Sequence, residues 1–336
     1  MSFSLRTAIY GAGAMGTVLG AHLARAGAQV ELITRNAAHV EALNAHGAHI
    51  TGTVDFVQPV TALTPDKMAG KYGVIFLMTK QRENAKTAEF LLPYLADGGV
   101  ICTLQNGLPE DSVAAIIGKD RTLGCALSWG ATFVKAGEVK LTSSPDKLTF
   151  ALGSTFGDNP ALLVVQGILQ LMGKVEIVEN FIGARFAKLA VNSAFSSLSA
   201  LSGLTFGEVA KNKTTRPLAL ALLREAFTVA EAAGIKIEPI QGHDIVKIYG
   251  RRGALGKKLA YMLLPLAMKS HKDIVSGMFY DLQAGRKCDM DFINGAVASL
   301  GFKHGAKTPL NDKVLALCKQ VEDGALKQGP DILKSL

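Results

Sequence analysis

The chain has 336 residues, of which 36 are basic and 28 acidic, so its formal net charge is +8. Hydrophobic residues make up 49% of the chain and charged residues 19%, a balance that allows a packed core and excludes extensive disorder. The length fits roughly two domains, and the positive charge suits a small anionic ligand as well as it suits nucleic acid.

In the first half of the chain, short apolar runs alternate with amphipathic segments. The apolar runs predict buried strands, at 7–10, 30–34, 74–77, 100–103 and 122–127. The amphipathic segments are bounded by Gly, Asn or Pro and predict helices, at 15–26, 37–45, 84–95 and 112–117. This alternation predicts an α/β domain with a mostly parallel sheet and helices on both faces.

Two further features concern the end of the first half and the transition to the second. The alternating run 137–152 contains Ser143, Ser144 and Pro145 at its centre, which predicts a hairpin at the edge of the sheet. After about residue 181 the strand signals stop, and segments rich in Ala, Leu and Lys follow. These segments predict an all-α second half, with helices at 182–201, 217–233, 243–249, 254–268, 289–300 and 310–327.

No internal repeat or low-complexity linker separates the two halves. We therefore expect two domains, residues 1–180 and 181–336, that meet directly along a ligand-binding cleft.

The cysteine pattern and the apolar stretches bear on the compartment. The four cysteines include no Cys-x-x-Cys pair and have no histidine at ligand spacing, so we expect no zinc site, no disulfides and reduced thiols. The uncharged stretches 7–24 and 189–207 contain glycines or serines that are unlike a membrane helix. The N-terminus has no unbroken apolar segment of the kind found in signal peptides. These features predict a cytoplasmic protein without a membrane partner.

A glycine-rich turn follows the first predicted strand and begins the first predicted helix. Its sequence, Gly11, Ala12, Gly13, Ala14, Met15 and Gly16, matches the pattern G-x-G-x-x-G. In such a turn the first glycine allows a tight bend, the second lets a pyrophosphate approach the backbone, and the third lets helix and strand pack closely. The helix N-terminus attracts the anion. A glycine turn without a ligand is the alternative, but the strand, helix and second strand together favour dinucleotide binding.

The end of the second predicted strand distinguishes between the two nicotinamide dinucleotides. An acid there binds the ribose hydroxyls of NAD, whereas a cation binds the 2′-phosphate of NADP. Glu31 lies inside the strand, while Arg35 is at its tip between Thr34 and Asn36. This arrangement favours NADPH, and a solvated loop position for Arg35 is the alternative.

Two polar residues lie at the carboxyl ends of later strands. Lys80 ends the run that includes Thr79, and Asn106 stands between Gln105 and Gly107. Ligands of open parallel sheets lie at this edge, so these residues are expected to share one rim with the glycine turn. Each of them alone also fits an ordinary polar loop or turn.

An apolar helix predicted to begin after residue 181 carries a narrow polar stripe. Arg185, Lys188, Asn192 and Ser196 are separated by steps of three, four and four, which places them on one helical face. Such a stripe is usually the solvated side of a helix. Here the rest of the helix is almost entirely apolar, so we expect the stripe to face a cleft. Partial burial would make Lys188 a better proton donor, as the reduction of a carbonyl group requires.

Taken together, these motifs resemble the ketopantoate reductase (2-dehydropantoate 2-reductase) family across nearly the whole chain. The resemblance is carried, in order, by the glycine turn, Arg35, the strand end at 79–80, the segment 105–107, the helix segment 188–192, and the segment 289–295 with Thr308 and Pro309.

The resemblance implies an N-terminal Rossmann domain, an all-α C-terminal domain and NADPH-dependent reduction of a small 2-oxo acid, with pantothenate biosynthesis as the setting. Lys188 would be the catalytic proton donor. The substrate would be bound by Asn106, Asn192 and Ser196. The cofactor would be bound by the glycine turn together with Arg35, Lys80, Asn106, the Gly130 backbone and Asp289.

The chain departs from the family pattern at substrate positions. Ser196 replaces a second asparagine, Gly277 replaces a serine, Asp289 replaces a glutamate, and Phe206 occupies a further polar position. Recognition of a hydroxylated substrate depends on dedicated hydrogen-bond partners, so a 2-oxo acid with an apolar side chain is an alternative substrate.

The sequence also fits other functions. One rival is a D-2-hydroxyacid dehydrogenase of the same architecture that acts on branched or aromatic 2-oxo acids with NADH or NADPH. Another is the β-hydroxyacid dehydrogenase group, which also places an Asn four residues after a Lys, although the segments 105–107 and 289–295 favour the first family. A non-catalytic NADPH-binding sensor represents a different class. The chain has no basic run interleaved with aromatic residues, so we expect no nucleic-acid partner; a homodimer is an open assembly.

Overall fold

The computed structural model describes residues 5–240, 242–251 and 253–336. The described chain divides into two compact units. The first contains the residues up to Gln105 together with Pro109–Phe181, and the second contains Asn106–Leu108 and Ile182–Leu336. Within the described residues, no helix has both the length and the apolar character that crossing a membrane would require.

The first unit is built on an eight-stranded sheet. Its strands are β1 (Thr7–Tyr10), β2 (Val30–Ile33), β5 (Thr61–Leu63), β6 (Tyr72–Leu77), β7 (Leu95–Thr103), β8 (Thr122–Leu127), β11 (Thr149–Gly153) and β12 (Lys174–Ile177). Their order is β12-β11-β8-β7-β6-β1-β2-β5. All neighbouring strands run parallel except β8 and β11. This arrangement confirms the predicted mostly parallel, Rossmann-type sheet.

The strands of the main sheet are apolar on both sides because both faces of the sheet are covered. In β1, Ala8 packs into one apolar cluster and Ile9 into the other, and Ile75 and Phe76 of β6 divide in the same way. The five predicted strands all form, and β6 and β7 begin earlier in the chain than expected.

A second, four-stranded sheet contains β3 (Ala48–Gly52), β4 (Phe56–Gln58), β9 (Ala131–Lys135) and β10 (Glu138–Leu141) in the order β4-β3-β10-β9. The hairpin predicted over 137–152 is therefore wrong. Its first half, β10, pairs with β9 and β3, whereas its second half, β11, pairs with β8 and β12 of the main sheet. A short 3₁₀ turn at Pro145–Lys147 separates the two strands, and each finds its own buried partners.

The helices of the first unit are α1 (Ala14–Arg25), α2 (Ala37–His46), α3 (Asn84–Leu91), α4 (Glu110–Ile117) and α5 (Ala161–Leu169). Side chains of α1 and α5 pack into the cluster that also contains the second sheet. Side chains of α3 and α4 pack into the cluster on the opposite face. Helix α5 was not predicted, and α3 ends before a 3₁₀ turn at Leu92–Tyr94 that the predicted helix 84–95 included.

The described part of the second unit is helical, which confirms the fold class. Its helices are α6 (Phe181–Val191), α7 (Ser197–Ser202), α8 (Phe206–Lys211), α9 (Thr215–Ala232), α10 (Ile245–Tyr249), α11 (Ala254–Ala267), α12 (Gly277–Gln283), α13 (Met290–His304) and α14 (Pro309–Glu322). Their apolar faces enclose one core that includes Phe186, Phe195, Leu223, Val297 and Val314.

Two of the four buried cysteines, which are distant in sequence, meet in the second unit. The sulfur atoms of Cys288 and Cys318 are 3.5 Å apart, and Glu322 lies close to both. The neighbouring Cys288 thiol and burial raise the pKa of the Cys318 thiol. The Cys318 thiol is therefore protonated at neutral pH, and the two buried side chains pack as small apolar groups.

Candidate active site

The glycine turn has the close backbone contacts that its sequence predicts. Gly11 has φ +109°, and a Cβ atom there would lie 2.6 Å from the backbone carbon of Met78 and the backbone nitrogen of Thr79. A Cβ atom at Gly16 would lie 2.6 Å from the carbonyl oxygen of Gly11. Only glycine fits these two positions without movement of the backbone.

Gly13 differs from the other two glycines of the turn. It has φ −88°, and a Cβ atom there would have no atom within 4 Å. The space beside it is therefore open rather than filled by protein. Gly13 is also the N-cap of α1, where no side chain caps the helix. Together, the open space and the first turn of α1 offer a position where a phosphate could approach backbone N–H groups.

Arg35 lies next to this turn, at the carboxyl end of β2. The N–H groups of Gly11 and Ala12 both donate to the carbonyl oxygen of Ile33, at 2.9 Å. Arg35 follows two residues later and is exposed. Burial raises the pKa of Tyr10, and the Arg35 charge opposes that rise, so the guanidinium acts on the side chain that precedes the glycine turn.

The residues on either side of Arg35 shape its loop. The Thr34 hydroxyl accepts a hydrogen bond from the Asn36 N–H at 3.3 Å. The Asn36 side chain caps α2 by accepting from the His39 N–H at 3.2 Å. The Asn36 cap holds the start of α2, and the exposed cation of this loop is Arg35.

Glu31, the other candidate on β2, has a structural role. Its carboxylate accepts two hydrogen bonds from the Arg6 guanidinium, at 2.8 and 2.9 Å, and a further one from the Tyr72 hydroxyl. Burial and the hydrogen bond to Glu31 raise the pKa of Tyr72. Because Glu31 is held by these two partners, Arg35 remains the charged residue at the tip of β2.

Polar side chains cross-link the carboxyl ends of β6 and β7. The Gln105 amide donates to the Thr79 carbonyl oxygen at 2.7 Å, and it exchanges hydrogen bonds with the Asn84 amide at 2.7 and 3.1 Å. Lys80 is exposed directly after this link. The buried hydroxyl of Thr79 has no hydrogen-bond partner among the described residues, so the edge beside Gly11 holds an unsatisfied polar atom.

Gly130 uses both of its backbone polar groups within the first unit. Its N–H donates to the Ser143 hydroxyl, and its carbonyl oxygen accepts from the Thr142 N–H, each at 3.0 Å. The predicted contribution of Gly130 to cofactor binding remains a prediction.

The polar stripe of the second unit lies on a helix that changes its pitch. After α6, residues Asn192–Ser196 form a π-helical turn that leads directly into α7. Lys188, Asn192 and Ser196 are all half-buried, and the Ser196 hydroxyl donates to the Asn192 side-chain oxygen at 3.2 Å. Asn192 and Ser196 therefore share a face, as predicted. Arg185, the fourth residue of the stripe, is only 1% exposed and lies inside the fold.

The other residues singled out in the second unit lie at the starts of helices. Asp289 is half-buried immediately before α13, and Gly277 is exposed as the first residue of α12. Phe206 begins α8 and packs against Phe195, with ring centroids 5.8 Å apart, so it belongs to the apolar core. Asn106, in the short segment grouped with this unit, is exposed.

Two family models match the chain in succession. The model described as ketopantoate reductase PanE/ApbA matches residues 7–154, and the model described as ketopantoate reductase PanE/ApbA C terminal matches residues 180–322. The chain belongs to the ketopantoate reductase family. It is therefore an oxidoreductase, and the predicted membership of this family is confirmed.

Individual relatives agree with this family in length and fold. A 2-dehydropantoate 2-reductase of Mesorhizobium japonicum is 26% identical, over 94% of this chain and 98% of the relative. A solved PanE/ApbA family ketopantoate reductase from Ralstonia eutropha JMP134 superposes with a TM-score of 0.80 at 24% identity, over 95% of this chain and 99% of that one. D-mandelate dehydrogenase, solved with NADH and anilino(oxo)acetate, also gives 0.80, at 21% identity over 95% and 99%.

Three buried asparagines that hold the candidate site residues in place were not predicted from the sequence. Asn84 links the ends of β6 and β7, while Asn294 and Asn311 are completely buried beneath the π-helical turn. Asn294 lies among the buried apolar residues of α13, and an amide on such a face is the one signal in the sequence that could have indicated a supporting role.

Proposed function

We propose that this protein reduces a 2-oxo acid to the 2-hydroxy acid with NADPH, and that the substrate is 2-dehydropantoate, which is reduced to pantoate. The observation that carries the proposal is the half-buried face formed by Lys188, Asn192 and Ser196 on one helix. It combines an ammonium group, an amide and a hydroxyl, the groups required to protonate a carbonyl oxygen and to orient a carboxylate or hydroxyl.

The first unit fits the phosphate groups of a dinucleotide. Gly13 leaves open space at the start of α1, where no side chain caps the helix. The buried hydroxyl of Thr79, the residue before Lys80, has no hydrogen-bond partner among the described residues. The residues that would hold the cofactor are the glycine turn, Arg35 and Lys80. When bound, NADPH supplies the hydride for the carbonyl carbon.

The remaining chemistry belongs to side chains of the second unit. Lys188 stabilises the negative charge that develops on the carbonyl oxygen and then donates its proton to that oxygen. The Asn192 oxygen accepts from Ser196, so its amide nitrogen is the end that donates to the substrate. Asn106 is proposed to contact both substrate and nicotinamide, and Asp289 to contribute from the start of α13.

Arg35 is proposed to bind the 2′-phosphate and so to select NADPH. Replacing Arg35 with Gln is expected to raise the KM for NADPH by about tenfold to a hundredfold, as loss of a charged hydrogen-bonded pair does. The KM for NADH should change less than threefold, because NADH has no 2′-phosphate. Initial-rate kinetics with both cofactors measure the difference.

Lys67→Gln is the matched control for Arg35→Gln, because Lys67 is an exposed cation of the same unit. It should leave both KM values unchanged. An equal rise in the KM for both cofactors in Arg35→Gln would contradict a role in selection.

A second candidate function is that of a D-2-hydroxyacid dehydrogenase acting on branched or aromatic 2-oxo acids. The observation that favours it is the pair of departures from the family pattern that the resemblance implies, Ser196 in place of an asparagine and Gly277 in place of a serine, together with the fold similarity to D-mandelate dehydrogenase. The deciding experiment measures NADPH and NADH oxidation with 2-dehydropantoate beside 2-oxo acids that carry branched and aromatic side chains. The highest kcat/KM with 2-dehydropantoate supports the first function, and a clear preference for an apolar side chain supports the second.

The same substrate panel tests the role of Ser196. Replacing Ser196 with Asn restores the second amide of the family pattern, so kcat/KM for 2-dehydropantoate should rise relative to an apolar 2-oxo acid by about twofold to tenfold, the range of one hydrogen bond. Thr205→Asn is the control: Thr205 is the half-buried N-cap of α8, and asparagine preserves capping there, so the ratio should stay unchanged. An unaltered ratio in Ser196→Asn would remove this position from the substrate site.

Two other possibilities are outcomes of simple measurements. Tight NADPH binding without turnover of any acid in the panel would indicate a sensor and would overturn the proposed reaction. A homodimer is proposed as the assembly, and sedimentation of the purified protein determines its mass.

A further inference from the structure

The π-helical turn at Asn192–Ser196 changes which backbone groups pair in the lysine-bearing helix. In a regular α-helix, the Ser197 N–H would donate to the Ser193 carbonyl oxygen, four residues earlier. Here it donates to the Asn192 carbonyl oxygen, five residues earlier. The Ser193 carbonyl oxygen instead accepts from the side chains of Asn294 and Ser197. The wide turn is thus bonded to a side chain of another helix.

Asn294 lies at the centre of a buried chain of amides. Its side-chain nitrogen donates to the Ser193 carbonyl oxygen at 3.0 Å and to the Asn311 side-chain oxygen at 2.9 Å. Both asparagines are 0% exposed. The two amide hydrogens of Asn294 are therefore both used, and together they connect α13, α14 and the wide turn.

Glu225 anchors the other end of this chain. Its carboxylate accepts from the Asn311 side-chain nitrogen at 2.7 Å, and from the N–H groups of Leu310 and Asn311 at 2.8 and 3.0 Å. These donors lie in the first turn of α14, where backbone N–H groups lack helical partners and a negative charge is favoured. The carboxylate on α9 therefore fixes the orientation of the Asn311 amide, and Asn311 in turn fixes Asn294.

The polar character of Asn294 has an energetic cost that packing alone does not explain. Its side-chain oxygen is buried and has no hydrogen-bond partner among the described residues. A buried, unpaired acceptor is destabilising, and a leucine of similar size would avoid it. Position 294 thus carries an amide whose N–H groups both donate hydrogen bonds, while its oxygen accepts none among the described residues.

We infer that Asn294 is a positioning residue: it holds the π-helical turn in place and thereby sets Asn192 relative to Lys188. The inference rests on the proposed function, in which these two side chains meet the substrate. Asn192 directly precedes Ser193, whose carbonyl oxygen accepts the hydrogen bond from Asn294. Asn192 also lies within the π-helical turn, whose pitch differs from that of α6. Without the Asn294 donors, the segment can shift, and a small shift is enough to impair proton transfer and orientation.

The test compares two variants of α13 that perturb the same buried face. Asn294→Leu removes both donors, while Val297→Ala creates a small cavity one turn later, at a side chain that is 0% exposed. Asn294→Leu should lower kcat at least tenfold and leave the KM for NADPH within twofold. Val297→Ala should lower the thermal midpoint and leave kcat within twofold. Asn294→Ser, whose hydroxyl is too short to reach both acceptors, serves if the leucine variant does not fold.

The outcomes separate the inference from the function on which it rests. Suppose that the unsubstituted protein reduces a 2-oxo acid. If kcat of the Asn294 variants then falls more than that of Val297→Ala for the same fall in thermal midpoint, Asn294 is a positioning residue. If both Asn294 and Val297 variants lose turnover only as their midpoints fall, Asn294 is merely structural and the inference is overturned. Absence of turnover in the unsubstituted protein refutes the proposed function instead; the inference is then also refuted, because it concerns that reaction.

Discussion

Replacing Lys188 with Ala is expected to lower kcat by about 10²- to 10⁴-fold, the range of a general acid. The ammonium group is the one that the proposed reaction needs at the carbonyl oxygen, and Ala supplies neither charge nor proton. NADPH affinity should remain within threefold, because the proposed phosphate-binding residues belong to the glycine turn and its neighbours. Single-turnover rates of NADPH oxidation and fluorescence titration of NADPH measure the two quantities separately.

Two variants sharpen the interpretation of the Lys188 result. Lys188→Arg keeps a positive charge, but a guanidinium does not give up its proton near neutral pH, so it should recover little activity if proton donation dominates. Lys213→Ala removes an exposed lysine of the same unit and should behave like the unsubstituted protein. Normal turnover in Lys188→Ala would show that the proton comes from elsewhere, and the proposed mechanism would have to be abandoned.

Replacing Gly13 with Val is expected to weaken NADPH binding by at least tenfold, about 1.4 kcal/mol, without unfolding the protein. The added side chain enters the open space beside Gly13, where no protein atom lies within 4 Å of a Cβ. That is the space into which a pyrophosphate is proposed to fit. The free energy of unfolding should change by no more than about 1 kcal/mol, the range of an N-cap substitution.

Gly11→Val provides the comparison for Gly13→Val. At Gly11 a Cβ atom meets the backbone at 2.6 Å, and φ is +109°, so this substitution should lower the thermal midpoint markedly. Thermal unfolding with and without NADPH distinguishes the two positions. Unchanged NADPH affinity in a folded Gly13→Val variant would mean that the cofactor does not lie over the turn.

The central parallel strands and their helices could be predicted because local patterns determine them. Both faces of the main sheet are buried, so its strands appear as apolar runs, and the glycines of the turn mark the first connection. The pairing of β10 and β11 could not be predicted in this way. Alternation predicts a strand, but the choice between two sheets depends on residues distant in sequence, such as the Ala48–Gly52 partner of β10.

The candidate site shows the same division between local and distant information. The spacing of Asn192 and Ser196 was sufficient to place them on one face. The spacing could not reveal the π-helical turn between Asn192 and Ser196, because that turn is accompanied by a hydrogen bond from Asn294, which is about a hundred residues away. The spacing predicted that Arg185 faces a cleft with the other three residues, and it could not reveal that Arg185 is buried, because burial of a long charged side chain depends on the elements that pack around it.

The wide turn also affects how this segment should be compared with its relatives. A helix advances by about 100° per residue, so one residue gained or lost between Asn192 and Ser196 would rotate α7 relative to α6 unless the change is absorbed as a bulge. Residues of α7 that are paired in a sequence alignment then need not occupy equivalent positions around the helix. A serine such as Ser196 is better matched to a relative's residue by superposing backbones than by counting along the sequence.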